Sequence, residues 1–175
     1  MRALDRITAC KLATLCVLLS GSAAHGGDAT PAEPLAPLKF LGGYCWNGTF
    51  ANGKTTDEHC YEWVYGGKFL RDRHVVRGGE QPYQGETLYF WDGELKAIAY
   101  IYFNSDGGVS RGTLKVNGAE LLFPSERYTE GTQTREFSTT ITRDGEQGYA
   151  SITHELKDGA RVEAWRTSFK RGAAL

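Results

Sequence analysis

Glycine-centred turns divide most of this chain into short segments, and their spacing limits the folds that it can adopt. From Phe40 onward, runs of β-branched and aromatic residues alternate with these turns, and we find no amphipathic helical stripe. Glycine tolerates the positive φ of tight hairpin turns, and a preceding Asn or Asp tolerates it better than most residues. The turns are Asn52-Gly53, Gly66-Gly67, Asp92-Gly93, Asp106-Gly107, Asn117-Gly118, Asp144-Gly145 and Asp158-Gly159. The pattern predicts an all-β fold, a single antiparallel up-and-down barrel of about ten strands, with longer loops over 77–84 and 124–133.

The first residues have the pattern of a secretory signal. Arg2, Arg6 and Lys11 precede an apolar run over 12–19, and small residues follow up to Ala24. Basic, apolar and then small residues are typical of a cleaved signal peptide, and the apolar run is too short to span a bilayer. We therefore predict a signal peptide over 1–24 and a secreted or periplasmic protein.

The rest of the chain suits one domain. A total of 175 residues makes two substantial domains improbable on size alone. Three prolines within 25–38 predict an extended linker, followed by a barrel domain over 39–171 and a tail over 172–175. No other apolar stretch has the length of a membrane span. The formal net charge of −1 argues against a nucleic-acid partner, which requires a basic surface.

Two cysteines remain after the predicted cleavage. Cys45 and Cys60 form an even pair in an oxidising compartment, which predicts a disulfide. Strand pairing about the Asn52-Gly53 turn places these two residues directly opposite each other. The same register puts an aromatic set on the other face, and we expect that face to point inward. The set is Phe40, Tyr44, Trp46, Phe50, His59, Tyr61, Trp63 and Tyr65.

The middle strands carry apolar residues on both faces. We expect the aliphatic face to be the interior, which leaves Tyr89, Tyr100 and Tyr102 on the outside with Arg111. The expected interior residues are Leu88, Phe90, Leu95, Ala97, Ala99, Ile101, Phe103, Leu114, Leu121 and Phe123.

A polar row is predicted on the apolar side of the last three strands. Tight turns at Asp144-Gly145 and Asp158-Gly159 would align Arg135, His154 and Glu163. Two interpretations remain open. The row is a salt bridge at the barrel rim, or it is a recognition site in which Arg135 binds a carboxylate or another anion.

Histidines provide the only candidate metal ligands. The Gly66-Gly67 turn places His59 opposite His74, and two imidazoles on one face can hold a metal or a haem iron. The alternative is a hydrogen-bonded or solvent-exposed pair, because we find no third ligand at a matching position. The sequence contains no nucleophile elbow, zincin motif or phosphate loop, so we do not expect an enzyme.

Two short motifs carry a resemblance to a known group of proteins. The segment FLGGYCWNGTF at 40–50 and the segment EWVYGGKFL at 62–70 resemble the lipocalin-like calycin barrels, and an exported bacterial group among them most closely. The resemblance implies a barrel that holds a small, largely apolar ligand. The chain is also similar in strand number to nitrobindin-like haem barrels, whose proximal histidine comes late in the chain, where only His154 could correspond.

We therefore expect an exported barrel that binds a small hydrophobic or planar molecule without catalysis or a cofactor. One alternative is a haem-binding barrel that uses His154 or the pair His59 and His74. Another is a structural or protein-interaction domain of the cell envelope with a filled core. The expected ligand-binding residues are Tyr44, Trp46, Tyr61, Trp63, Trp165, Arg135, His154 and Glu163.

Overall fold

The computed structural model describes residues 30–175 as a closed barrel of ten antiparallel strands, so the predicted signal peptide lies outside the described residues. Each strand pairs with the next, and β1 pairs with β10, which leaves no strand with a free edge. The strands are β1 Tyr44–Phe50, β2 Thr56–Val64, β3 Phe69–Arg77, β4 Tyr83–Asp92, β5 Ala97–Asn104, β6 Val109–Asn117, β7 Glu120–Glu130, β8 Gln133–Asp144, β9 Gly148–Lys157 and β10 Ala160–Ala174. The predicted all-β up-and-down barrel is confirmed. Within the described range, no helix has the length and apolar character needed to cross a membrane.

The β1–β2 hairpin has the predicted register. The Asn52 side-chain oxygen accepts hydrogen bonds from the backbone N–H of Thr55 (2.9 Å) and of Lys54, and Gly53 adopts φ +68°. These local interactions fix the turn and pair Cys45 with Cys60. The two cysteines form a disulfide, with their Cα atoms 4.0 Å apart.

The segment before β1 differs from its prediction as a linker. Residues Glu33–Leu38 form a 3₁₀ helix, and Leu35, Leu38 and Leu41 are fully buried in the barrel core. The indole Nε1–H of Trp46 donates a 3.0 Å hydrogen bond to the carbonyl of Leu41. The linker prediction is wrong here because leucines three residues apart share one face of a 3₁₀ helix, and that face covers apolar core.

The C-terminal boundary also differs. The last strand, β10, continues to Ala174, and Tyr44 of β1 pairs with that residue. The barrel therefore includes most of the segment that was predicted as a tail over 172–175.

The prediction for the faces of β4 and β5 is wrong. Tyr89 and Tyr100 lie opposite each other and are buried inside the barrel, whereas Leu95 and Phe103 are exposed. Because both faces of these strands are apolar, alternation alone does not show which side is the interior. A barrel of ten strands also has an interior wide enough for tyrosine rings. Leu114, Leu121 and Phe123, also predicted as interior, are buried.

A bulge in β7 replaces part of a predicted loop. Residues 124–130 continue the strand, and the register with β8 shifts between Phe123 and Glu126. Pro124 lies at this irregularity, where its missing N–H costs no ladder hydrogen bond. The shift leaves both Phe123 and Glu126 on the wall of the interior cavity.

Candidate ligand cavity and its histidine cluster

A cavity of about 540 Å³ occupies the barrel interior toward the end where β1 ends and β2 begins. Aromatic rings and hydroxyl groups dominate its wall. The rings belong to Phe50, Tyr61, Tyr83, Tyr89, Tyr100, Tyr102, Phe123, Tyr128, Phe137, Tyr149, Trp165 and Phe169, and the aliphatic hydroxyls to Thr87, Ser110, Thr139, Ser151, Thr153 and Thr167. Such a wall provides flat apolar surface together with many hydrogen-bonding groups.

Four ionisable residues on β2 and β3 form what we name the histidine cluster: Asp57, His59, Asp72 and His74. Asp57 and His59 are two residues apart on β2, so their side chains share one face, and the same holds for Asp72 and His74 on β3. The strand pairing places His59 opposite His74, as the turn predicted. All four side chains line the cavity.

The cluster is tightly hydrogen-bonded. His59 approaches Asp72 through Nδ1 at 2.8 Å and Asp57 through Nε2 at 3.1 Å. His74 approaches the other oxygen of Asp57 through Nδ1 at 3.1 Å and the hydroxyl of Tyr102 through Nε2 at 3.3 Å. The two imidazole rings stack with their centroids 4.6 Å apart. Asp57 therefore bridges both histidines.

The charges in the cluster stabilise one another. Burial by itself lowers the pKa of His59, but the carboxylates of Asp72 and Asp57 outweigh burial and raise that pKa to about 10. Burial by itself raises the pKa of Asp57, but attraction to and hydrogen bonds from His59 and His74 outweigh it and hold the pKa below its usual value. The carboxyl groups on either side of His59 therefore favour its protonated form.

A hydrogen-bonded chain of side chains runs from the cluster to the rim of the barrel. Beyond His74, the hydroxyl of Tyr102 bonds to that of Tyr83. The amide of Asn104 donates to Tyr83 at 2.7 Å and to Tyr128 at 3.0 Å. Gly85 faces His74 across the strands, and a Cβ there would overlap both the His74 ring and Tyr102. The glycine therefore provides the space for this contact.

Four buried polar atoms on the cavity wall make no well-formed hydrogen bond within the described residues. They are the Tyr100 hydroxyl, Ser110 Oγ, Thr167 Oγ1 and Glu126 Oε1. Burial raises the pKa of the Glu126 carboxyl above its ordinary value, because a carboxylate is poorly stabilised there. Buried polar atoms without partners are uncommon, so these four are candidates for contact with a bound molecule.

The predicted ligand-binding residues separate into two groups. Tyr61, Trp165 and Arg135 line the cavity. Trp46 does not line it, because its ring is fully buried against the core. Tyr44 and Trp63 lie beside a different cleft, near the 3₁₀ helix. The aromatic face does point inward except at Tyr65, which is 77% exposed because it lies in the turn after β2. The half of this face nearest the N-terminal segment is used for packing.

The predicted row of Arg135, His154 and Glu163 does not form. His154 lies opposite Glu163, but Ser138 and not Arg135 lies opposite His154 on the other side. The Arg135 Nε–H donates instead to Glu155 at 2.9 Å. The turn between β8 and β9 is longer than two residues, so the register between these strands is shifted by an odd number of residues. Because side chains alternate along a strand, this shift exchanges the inner and outer faces of β9.

The shifted register changes which residues of β9 face the interior of the barrel. Tyr149, Ser151 and Thr153 line the cavity, whereas Ile152, which alternates with them along β9, does not. A second irregularity, between Glu163 and Trp165 of β10, turns Trp165 into the cavity. His154 and Glu163 are not on the cavity wall.

Glu163 and His154 instead make surface contacts. Glu163 accepts a 2.7 Å hydrogen bond from the guanidinium of Arg166, and His154 lies 3.3 Å from a guanidinium nitrogen of Arg161. The prediction that both residues bind a ligand in the cavity is wrong.

The histidines do not fit a haem. His154 is outside the cavity, so it cannot be an axial ligand to an iron bound there. His59 and His74 stack face to face on neighbouring strands and cannot approach one iron from opposite sides of a planar macrocycle.

Sequence reasoning missed Asp57, Asp72 and Glu126. The first two share the alternation of His59 and His74, so the spacing Asp-x-His on each strand was a usable signal. Glu126 could not be found in this way, because the direction of its side chain is set by a bulge that no turn motif in the sequence indicates.

The chain matches no protein-family model, and a comparison with curated proteins finds no significant relative.

Proposed function

We propose that this protein binds a small, ring-bearing molecule non-covalently inside its barrel. The main support for this proposal is the cavity of about 540 Å³, which has the size of a typical small-molecule site. A filled core, which a purely structural or protein-interaction domain would have, does not account for this volume. Tyr89 and Tyr100, which were expected on the outside of the barrel, are also buried inside it.

The wall indicates the chemistry of the ligand. The rings of Phe123, Phe137 and Trp165 offer flat apolar contact, which suits a planar body. The Tyr100 hydroxyl and Glu126 Oε1 make no well-formed hydrogen bond in the structure, which favours a ligand with hydrogen-bonding groups. We therefore propose a planar, largely apolar molecule that carries hydroxyl, carbonyl or amine groups.

The proposed location is outside the cytoplasm. The signal pattern over 1–24 and the Cys45–Cys60 disulfide both support export, since disulfides persist in oxidising compartments. The resemblance of residues 40–50 to lipocalin-like barrels supports a carrier or sequestering role rather than catalysis.

A dye titration with two matched variants tests the proposal. Thr139 lines the cavity, whereas its neighbour Thr140 is not on the cavity wall. Thr139→Phe adds a ring to the cavity, and Thr140→Phe makes the same chemical change away from it. The purified protein, treated with EDTA, is titrated with Nile red, an uncharged planar dye whose fluorescence rises in apolar surroundings.

We expect saturable binding at one site for the wild-type protein and for Thr140→Phe. Thr139→Phe should bind at least tenfold more weakly, because its ring occupies ligand space. The absence of saturable binding to the wild-type protein, or equal loss in both folded variants, would overturn the proposal.

A further inference from the structure

We propose that Asp57, His59 and His74 bind a divalent transition-metal ion, Zn²⁺ by the chemistry of its ligands, on the wall of the cavity. Each residue offers one nitrogen or carboxylate oxygen, and these atoms all lie within 4.8 Å of one another. Bonds of about 2.0–2.1 Å to a tetrahedral ion place its ligand atoms roughly 3.3 Å apart. The two separations of 3.1 Å, each of which joins one histidine to a different oxygen of the Asp57 carboxylate, are close to that value.

The atoms around the three ligands support the same assignment. A histidine that binds metal through one ring nitrogen usually donates its other N–H to a carboxylate or another fixed acceptor. In His59, Nε2 faces Asp57 while Nδ1 is held by Asp72, whose side chain is almost fully buried. In His74, Nδ1 faces Asp57 while Nε2 is held by the Tyr102 hydroxyl. Both rings are thus oriented with one nitrogen toward the carboxylate of Asp57.

The ligand types select the class of metal. Two imidazoles and one carboxylate suit Zn²⁺ and other first-row transition ions, whereas Mg²⁺ and Ca²⁺ prefer sites made of oxygen ligands. All three side chains line the cavity, so a position on the ion faces the space in which a small molecule would bind. Three protein ligands with one open position are characteristic of zinc sites that exchange a water molecule for another ligand.

The test is a calorimetric titration of EDTA-treated, dialysed protein with ZnCl₂ at pH 8, with MgCl₂ as the comparison. Because the carboxyl groups favour protonated His59, Zn²⁺ must displace a proton from that ring into the buffer, and a mildly alkaline pH assists this exchange. We expect one Zn²⁺ per chain and no measurable binding of Mg²⁺. Zn²⁺ should also raise the melting temperature, because it binds the folded state alone.

Variants identify the site. His59→Gln and His74→Gln should each weaken Zn²⁺ binding by at least tenfold, and Asp72→Asn, which removes an orienting partner, by roughly tenfold or more. His154→Gln makes the same change at a histidine outside the cavity. This variant should bind Zn²⁺ with the affinity of the wild-type protein. A cluster variant could fail to fold, so a second measurement uses the wild-type protein. Co²⁺ is added in place of Zn²⁺, and its visible absorption is recorded. We expect the bands of a four- or five-coordinate ion with nitrogen and oxygen ligands.

The absence of a bound ion in the wild-type titration, a Co²⁺ spectrum identical to that of the hydrated ion, or an affinity unchanged in folded cluster variants would overturn the proposal. These results are separable from the dye experiment, which is performed without metal.

Discussion

His59 and Asp72 form a buried pair inside the barrel, with His59 Nδ1 2.8 Å from a carboxylate oxygen. Asp72 is only 2% exposed. Removing one partner from such a pair leaves the other charge poorly compensated in a medium of low polarity. We expect Asp72→Asn to lower the free energy of unfolding by about 3 kcal/mol at pH 7, measured by urea denaturation of metal-free protein.

Glu163→Gln is the control for this change. Glu163 pairs with Arg166 on the surface, where solvent screens the attraction. Its removal should leave the free energy of unfolding almost unchanged. Equal effects of the two substitutions would contradict the proposed importance of the interior pair.

The buried carboxyl of Glu126 predicts that the stability of the fold depends on pH. Because burial raises the pKa of its carboxyl in the folded state, folding favours the protonated form. Its contribution to stability is fully present below the unfolded pKa of about 4.5 and is lost as the pH rises through the folded pKa. Glu126→Gln should therefore be more stable than the wild-type protein at pH 8 and similar to it at pH 4.5.

The measurement is urea unfolding of both proteins across this pH range. Far-ultraviolet circular dichroism at each pH verifies that the barrel is intact before denaturant is added. A Glu126→Gln variant that is less stable than the wild-type protein at pH 8 would show that the carboxylate is well stabilised in the cavity.

The disulfide should contribute to stability without determining the fold. Cys45 and Cys60 already lie opposite each other through strand pairing, and β1 and β2 are also held by β10 and β3. Replacing both cysteines with serine should cost about 3 kcal/mol through the gain in freedom of the unfolded chain. Thermal unfolding with and without reductant measures this. Reductant should lower the melting temperature of the wild-type protein only.

Leu38 should behave as a core residue, although it precedes the first strand. Its side chain is fully buried with those of Leu35 and Leu41. Leu38→Ala should lower the free energy of unfolding by roughly 2–5 kcal/mol, because it removes buried apolar volume. Glu33→Ala in the same 3₁₀ helix is the control, since acidic Glu33 is not among the buried residues of that helix. A small effect of Leu38→Ala in denaturant unfolding would restore the linker interpretation.

The sequence was sufficient for the features that depend on local interactions. The Asn52-Gly53 turn is closed by the side chain of Asn52, so the pairing of Cys45 with Cys60 follows from a few adjacent residues. The same reasoning gave His59 opposite His74. Successive hairpins of this kind lead to an antiparallel meander, and closure removes its edges.

Tertiary structure alone decided the position of the polar groups in the second half of the chain. A longer turn between β8 and β9 exchanges the faces of Thr153 and His154, because side chains alternate and an odd shift reverses every one of them. On the middle strands, Tyr100 and Phe103 are both apolar enough for the interior. The width of the closed barrel and the packing across it determine which one enters, and neither property is encoded in the alternation of a single strand.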